Sequence, residues 1–155
     1  APYLLTKQLL PILDKTSRVV NLSSAAQAPL QAEELTKPSQ LSDNTVYAKS
    51  KLAIAMWSRQ LALTLGEHGP IVLAINPKSF LGSKMVKQAY GVDGENLQEG
   101  ADILVKTALS NEFSKASGLY YDNDIGEFTS PHVDGIDALK ISEITNSIEQ
   151  IIAEH

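Results

Sequence analysis

Two short segments of the sequence combine hydroxyl, phenol and ammonium groups that could act together on a polar ligand. Ser23 and Ser24 follow the run Arg18–Leu22, and Tyr47 and Lys51 lie near the start of a long helical pattern. Residues four apart share one face of a helix, so these last two side chains are expected to be neighbours. A nearby ammonium favours the phenolate form of a tyrosine, whose ordinary pKa is about 10. The pattern therefore predicts a general acid/base, with a serine hydroxyl that holds the reacting oxygen.

The tyrosine–lysine spacing is weak evidence when it stands alone. With 5 tyrosines and 11 lysines among 155 residues, chance gives roughly 0.35 such pairs. Tyr3 and Lys7 form another pair, with no serine-ended strand before them. A partly exposed helix face is thus the simpler interpretation of Tyr47 and Lys51 in isolation. Their place after a serine-ended strand, and before an apolar strand that ends in Asn-Pro, favours the functional interpretation.

The elements that must position these residues alternate between strand and helix. The β-branched run Arg18–Leu22 and the apolar run 71–75 predict buried strands, and residues 118–121 are a third candidate. Helices are predicted from the first residues to Leu13 and over 45–65, 84–89, 98–111 and 136–152. The apolar face of the 98–111 helix is expected to be formed by Ala101, Leu104, Val105 and Ala108. This alternation predicts an α/β fold with right-handed parallel crossovers, whose ligands bind beyond the carboxyl ends of the strands.

Composition argues against several other classes of protein. The net charge of −5 offers no basic face to nucleic acid or anionic lipid. The absence of cysteine excludes disulfides and thiolate chemistry, and His68, His132 and His155 lie too far apart in sequence to suggest a metal cluster. No apolar run approaches the roughly 18 residues of a membrane span. No signal-peptide pattern opens the sequence, so a soluble, cytoplasmic domain is expected. No Gly-x-Ser-x-Gly turn supports a serine hydrolase.

Taken in order along the chain, three segments resemble the short-chain dehydrogenase/reductase family. They read Val19-Val20-Asn21-Leu22-Ser23-Ser24, Tyr47-Ala48-Lys49-Ser50-Lys51 and Ile75-Asn76-Pro77. The resemblance extends over nearly the whole chain and looks greatest towards bacterial oxidoreductases related to retinol-dehydrogenase-like members. It implies that Tyr47 is the catalytic acid/base and that Ser24 orients the substrate oxygen. It also implies that Lys51 binds the nicotinamide ribose and favours the phenolate of Tyr47.

The same resemblance implies a cofactor, a substrate and further binding residues. NAD or NADP would be contacted by Ser23, Tyr47, Lys51, Pro77 and Ser83, and no metal is implied. A hydride would pass between nicotinamide and a small-molecule carbonyl or secondary alcohol. The substrate pocket is expected to draw on residues 25–44, 80–94 and 126–134. A homo-oligomer is expected, with no nucleic-acid or membrane partner.

Two departures from the family pattern shape the remaining expectations. Lys78 follows Asn76-Pro77 where the family usually has glycine, so backbone strain or a clash with the cofactor is expected there. No glycine-rich turn follows a first strand, and the residue that selects NAD or NADP is missing as well. The 155 residues are therefore expected to form one partial domain, the C-terminal part of a doubly wound, Rossmann-like parallel sheet without its glycine-rich N-terminal half. Alone they are expected to be inactive.

A non-catalytic relative is the alternative interpretation. It would act as a dinucleotide sensor or a protein-interaction module. Lys78 and the missing glycine-rich turn both favour it. Turnover of a carbonyl or alcohol distinguishes the enzyme from this alternative.

Overall fold

The computed structural model describes residues 1–37 and 40–154 as a four-stranded sheet with helices on both faces. The strands are β1 (Arg18–Leu22), β2 (Ile71–Asn76), β3 (Tyr120–Asp122) and β4 (Glu127–Thr129). The helices are α1 (Pro2–Leu9), α2 (Asp43–Leu65), α3 (Lys84–Tyr90), α4 (Leu97–Leu109) and α5 (Ala138–Ala153). Short 3₁₀ turns span Leu10–Ile12, Ala32–Leu35, Gly66–His68, Asn111–Phe113 and Val133–Ile136. The α/β prediction is confirmed, and the sheet is compatible with a Rossmann-like fragment. None of the described helices is long and apolar enough to cross a membrane.

The sheet has the strand order β1-β2-β3-β4, and its first three strands are parallel. Val20 lies opposite Leu73, and Ala74 lies opposite Tyr120. β4, which is not among the strands that the sequence predicts, pairs antiparallel with β3. It is only three residues long and exposed throughout, so it carries no buried alternation that a pattern could reveal. Within the described part of the chain β1 pairs with β2 alone, so it lies at the sheet edge.

Helix α2 carries the predicted tyrosine and lysine and is buried on two sides. It begins after Ser42, whose hydroxyl accepts the backbone N–H of Thr45 at 3.3 Å, and ends at Gly66, which has φ +59°. One side packs on the sheet through Trp57, Leu61 and Ala62, together with Tyr3 of α1. The opposite side packs on α5, where Leu52, Ala53 and Met56 contact Ile141 and Ile144. This double burial fixes the start of α2 relative to the end of β1.

Strand β2 lies at the centre of the core because both of its faces are covered. Val72 and Ala74 face α2, whereas Leu73 and Ile75 face the opposite layer. There they pack with Ile103, Phe113, Ala116 and Tyr121. A continuous apolar run is what a parallel strand with two covered faces requires.

Two predicted helix faces differ from those observed. In α4 the buried residues are Gly100, Ile103 and Thr107, while Ala101, Val105 and Ala108 are exposed and Leu104 is half-buried. Gly100 lies against the Leu81 side chain, which its missing Cβ permits, so close packing turns the helix away from its most apolar stripe. The first predicted helix has Leu5, Leu9, Ile12 and Leu13 at helical spacing, which predicts one apolar face. In the structure Tyr3 and Thr6 of α1 are buried, whereas Leu5 and Leu9 of α1 and Ile12 of the turn after it are exposed. The apolar spacing at the start of the chain therefore does not mark a buried face.

Candidate functional site

A cavity of about 500 Å³ opens at the carboxyl ends of β1 and β2. The three residues predicted to be catalytic, Ser24, Tyr47 and Lys51, all line it. So do the other three residues predicted to contact a cofactor, which are Ser23, Pro77 and Ser83. Six residues from separate parts of the sequence therefore meet at the sheet edge where parallel α/β folds bind their ligands.

Tyr47 and Lys51 lie in the first turns of α2, on the face towards β1. The Lys51 ammonium is 5.3 Å from the centroid of the Tyr47 ring and donates a hydrogen bond to the backbone oxygen of Leu22 at 2.9 Å. Burial lowers the pKa of Lys51. No carboxylate among the described residues forms an ion pair with it. The site therefore holds a partly buried cation beside a phenol.

The two serines at the end of β1 have different environments. The Ser24 hydroxyl oxygen accepts the backbone N–H of Ala26 at 3.1 Å, which leaves its own hydrogen free to donate to a ligand. Ser23 is buried, and its hydroxyl donates to the backbone oxygen of Lys51 at 2.7 Å. Its hydrogen bond ties α2 to β1, so Ser23 can offer a ligand only a lone pair.

The Asn-Pro turn after β2 is held by the loop between β3 and β4. The buried Asn76 amide donates to Asp122 and Asp124, each at 2.8 Å, and the Ser79 backbone N–H also donates to Asp124. Burial pushes the pKa of Asp124 up, but the hydrogen bonds from Ser79 and Asn76 outweigh it, and the net pKa falls. Sequence reasoning missed the aspartates: Asp122 is the last residue of β3, whose carboxyl end lies beside that of β2, and Asp124 lies two residues further on.

The backbone between Lys78 and Phe80 adopts the strained conformation that the sequence led us to expect. Lys78 has φ +150° and Phe80 has φ +51°, both in the region that favours glycine. The Lys78 ammonium forms an ion pair with Glu99 of α4, and this hydrogen bond raises the pKa of Lys78. A charged residue with a strained backbone is thus part of the cavity lining.

Two of the three segments expected to form a substrate pocket line the cavity. The first contributes Ala26, Asp43 and Asn44, although its residues 38–39 lie outside the described part of the chain. The second contributes mostly apolar side chains, namely Phe80, Leu81, Met85, Val86, Ala89 and Tyr90. The third segment, 126–134, does not reach it and instead borders a second cavity of about 410 Å³. The part of the cavity lining that the second segment supplies is therefore mostly apolar.

The histidines take no part in a metal site in the described residues. No group of three or more histidine, aspartate or glutamate side chains there is arranged to hold a metal ion. His132 caps the 3₁₀ turn Val133–Ile136, because its Nδ1 accepts the backbone N–H of Asp134 at 3.2 Å. His155 lies outside the described residues.

Comparison with known proteins adds no assignment to this geometry. The chain matches no protein-family model, and neither a curated protein nor a solved structure shows significant similarity to it. The resemblance carried by the three segments stays a prediction. The geometry at the cavity is the separate observation that bears on function.

Proposed function

We propose that this chain carries the catalytic residues of an NAD(P)-dependent oxidoreductase. The reaction would transfer a hydride between nicotinamide and a small carbonyl or secondary alcohol. One observation carries the proposal: Ser24, Tyr47 and Lys51 line a single cavity at the carboxyl edge of a parallel sheet. The chain provides an acid, a hydrogen-bond donor and a cation there, which is the set that proton transfer to a carbonyl oxygen requires.

The three side chains take separate parts in the reduction of a carbonyl. The Ser24 hydroxyl donates a hydrogen bond to the carbonyl oxygen, because its oxygen is already occupied by the Ala26 N–H. Tyr47 gives its proton to that oxygen as the alcohol forms. Lys51 stabilises the resulting phenolate, since its ammonium lies beside the ring. A reduced nicotinamide, when bound, supplies the hydride that the carbonyl carbon receives.

The residues present fit one half of such a cofactor. Lys51 offers a donor that no described carboxylate neutralises, and the cavity volume lies in the range typical of small-molecule sites. Pro77 and Ser83 form part of the same wall, and Ser83 also caps α3 by accepting the N–H of Val86 at 3.2 Å. The sequence offers no glycine-rich turn for a pyrophosphate. These residues would therefore hold the nicotinamide and its ribose.

Replacing the acid tests the assignment in the complete protein. We expect Tyr47→Phe to lower turnover by about 10²- to 10⁴-fold while cofactor binding is retained. Tyr121→Phe is the matched control, because Tyr121 lies on the far face of β3, against Phe113 and Phe128. The assay follows NADPH or NADH oxidation with a panel of ketones and aldehydes. Turnover that survives Tyr47→Phe would contradict the assignment.

The alternative, a dinucleotide sensor or an interaction module, has one observation in its favour. Lys78, which lines the cavity, has φ +150°. The short-chain dehydrogenase/reductase family, which the sequence resembles, usually has glycine at this position. The alternative predicts that the cofactor or another protein binds, but that no substrate in the panel is turned over. Turnover of any one substrate excludes it.

A further inference from the structure

The carbonyl oxygen of Ser24 accepts two side-chain hydrogen bonds, one from a nearby residue and one from a distant strand. The Tyr120 hydroxyl donates to it at 2.9 Å, and so does the Gln27 amide nitrogen, also at 2.9 Å. Tyr120 is 96 residues away in sequence and lies on β3. Neither donor lines the cavity that holds Ser24, Tyr47 and Lys51. Both donors therefore bind the Ser24 carbonyl from outside the cavity, which Ser24 itself lines.

Packing on both neighbouring elements holds the Tyr120 side chain in place. It is buried at 5% exposure and packs with Ala55 of α2 and Ala74 of β2. Burial raises the pKa of its hydroxyl well above the ordinary value, and the charge of Asp122 raises it further. The hydroxyl therefore keeps its proton at neutral pH.

The orientation of the Gln27 amide is fixed by a second segment. Its amide oxygen accepts the backbone N–H of His132 at 2.8 Å. Because that N–H can only donate, the oxygen must face it, and the amide nitrogen must face Ser24. The 3₁₀ turn after His132 is itself held by Lys140, whose ammonium pairs with the buried Asp134 at 2.6 Å. The Ser24 peptide is thus braced from β3 and from the turn before α5.

We infer that Tyr120 and Gln27 are positioning residues that act through Ser24. By fixing the carbonyl of this peptide, they fix the turn in which the Ala26 N–H occupies the Ser24 hydroxyl oxygen. The Ser24 hydroxyl is then already oriented to donate its hydrogen to the ligand before the ligand binds. The expected effect on turnover rests on the proposed function. The orientation of the Ser24 peptide rests on the hydrogen bonds alone.

The kinetic test uses the complete protein and the single substitution Tyr120→Phe, which removes only the donor. We expect kcat to fall about 3- to 10-fold, the effect of one lost hydrogen bond, while KM changes less than twofold. In a Ser24→Ala background the same substitution should cause no further loss, because the group through which it acts is gone. Tyr121→Phe is the control, since Tyr121 is the next residue along β3 and its side chain packs on the other face of the sheet. An equal loss from Tyr121→Phe, or an undiminished loss in the Ser24→Ala background, would overturn the inference.

A second measurement does not depend on turnover. The carbonyl ¹³C resonance of Ser24 reports hydrogen bonding to that oxygen, and we expect it to move upfield in Tyr120→Phe and in Gln27→Met, but not in Tyr121→Phe. Gln27→Met keeps the test available if Tyr120→Phe does not fold. An unmoved Ser24 resonance in the folded variants refutes the positioning role. Wild-type protein without turnover, but with the expected resonance shifts, refutes the proposed function and leaves the bracing intact.

Discussion

Thr145 presents a buried hydroxyl whose removal should stabilise the protein. It lies on the face of α5 that carries Ile141 and Ile148 towards α2, and it is 8% exposed. Its hydroxyl oxygen has no hydrogen-bond partner in the described structure. Burial without a partner costs a hydroxyl about 1–3 kcal/mol. Thr145→Val removes that cost.

The hydroxyl is the main difference in stability between the wild type and Thr145→Val. Threonine and valine have similar helix propensities and the same branching at Cβ, so helix propensity and side-chain entropy contribute almost equally in the two proteins. The new methyl takes the place of a hydroxyl that is buried and has no hydrogen-bond partner in the described structure. We therefore expect Thr145→Val to raise the free energy of unfolding by about 1 kcal/mol, or the Tm by roughly 2–4 °C.

Thr107→Val is the matched control in a second helix. Thr107 is fully buried, and its hydroxyl donates to the backbone oxygen of Ile103 at 2.6 Å. Valine there loses a satisfied hydrogen bond, and we expect a decrease of about 0.5–1.5 kcal/mol. Urea unfolding followed by circular dichroism measures both variants against the wild type. If Thr145→Val is destabilising, or both variants change in the same direction, the argument from the unpaired hydroxyl is wrong.

The remaining predictions concern two ion pairs. Lys78→Gly should raise the urea midpoint above that of Lys78→Ala, because both lose the pair with Glu99 but only glycine relieves the strain at φ +150°; equal midpoints would contradict this. Hydrogen bonds from Lys7, and then from Tyr3, lower the pKa of Glu149. The folded pKa lies below the unfolded one, so this stability is present above about pH 4.3 and lost as pH falls through the folded pKa. Wild-type protein should therefore exceed Glu149→Gln in stability at pH 7, and the difference should shrink as the pH falls below about 4.3; a constant difference would refute the linkage.

The sequence was sufficient for the parts of the fold whose patterns have one interpretation. β1 and β2 are apolar runs of strand length, and α2 is long and has a polar cap, so the serines and the Tyr47–Lys51 pair could be placed at one edge. The buried face of α4 could not be predicted, because it depends on the close approach of Gly100 to Leu81. The brace on Ser24 was equally hidden, since Tyr120 looks from its neighbours like an ordinary strand tyrosine and reaches its partner across 96 residues.

The contact between α1 and α2 also provides an optical probe. The protein has one tryptophan, Trp57, which is 3% exposed and meets the Tyr3 ring edge-on with centroids 5.3 Å apart. It lies ten residues along α2 from Tyr47, a rise of about 15 Å. Its emission should therefore be shifted to the blue in the folded protein and should move red when α1 detaches. Reduced nicotinamide absorbs light in the region where tryptophan emits. At this separation, energy transfer from Trp57 would therefore report the binding of reduced nicotinamide beside Tyr47 without any added label.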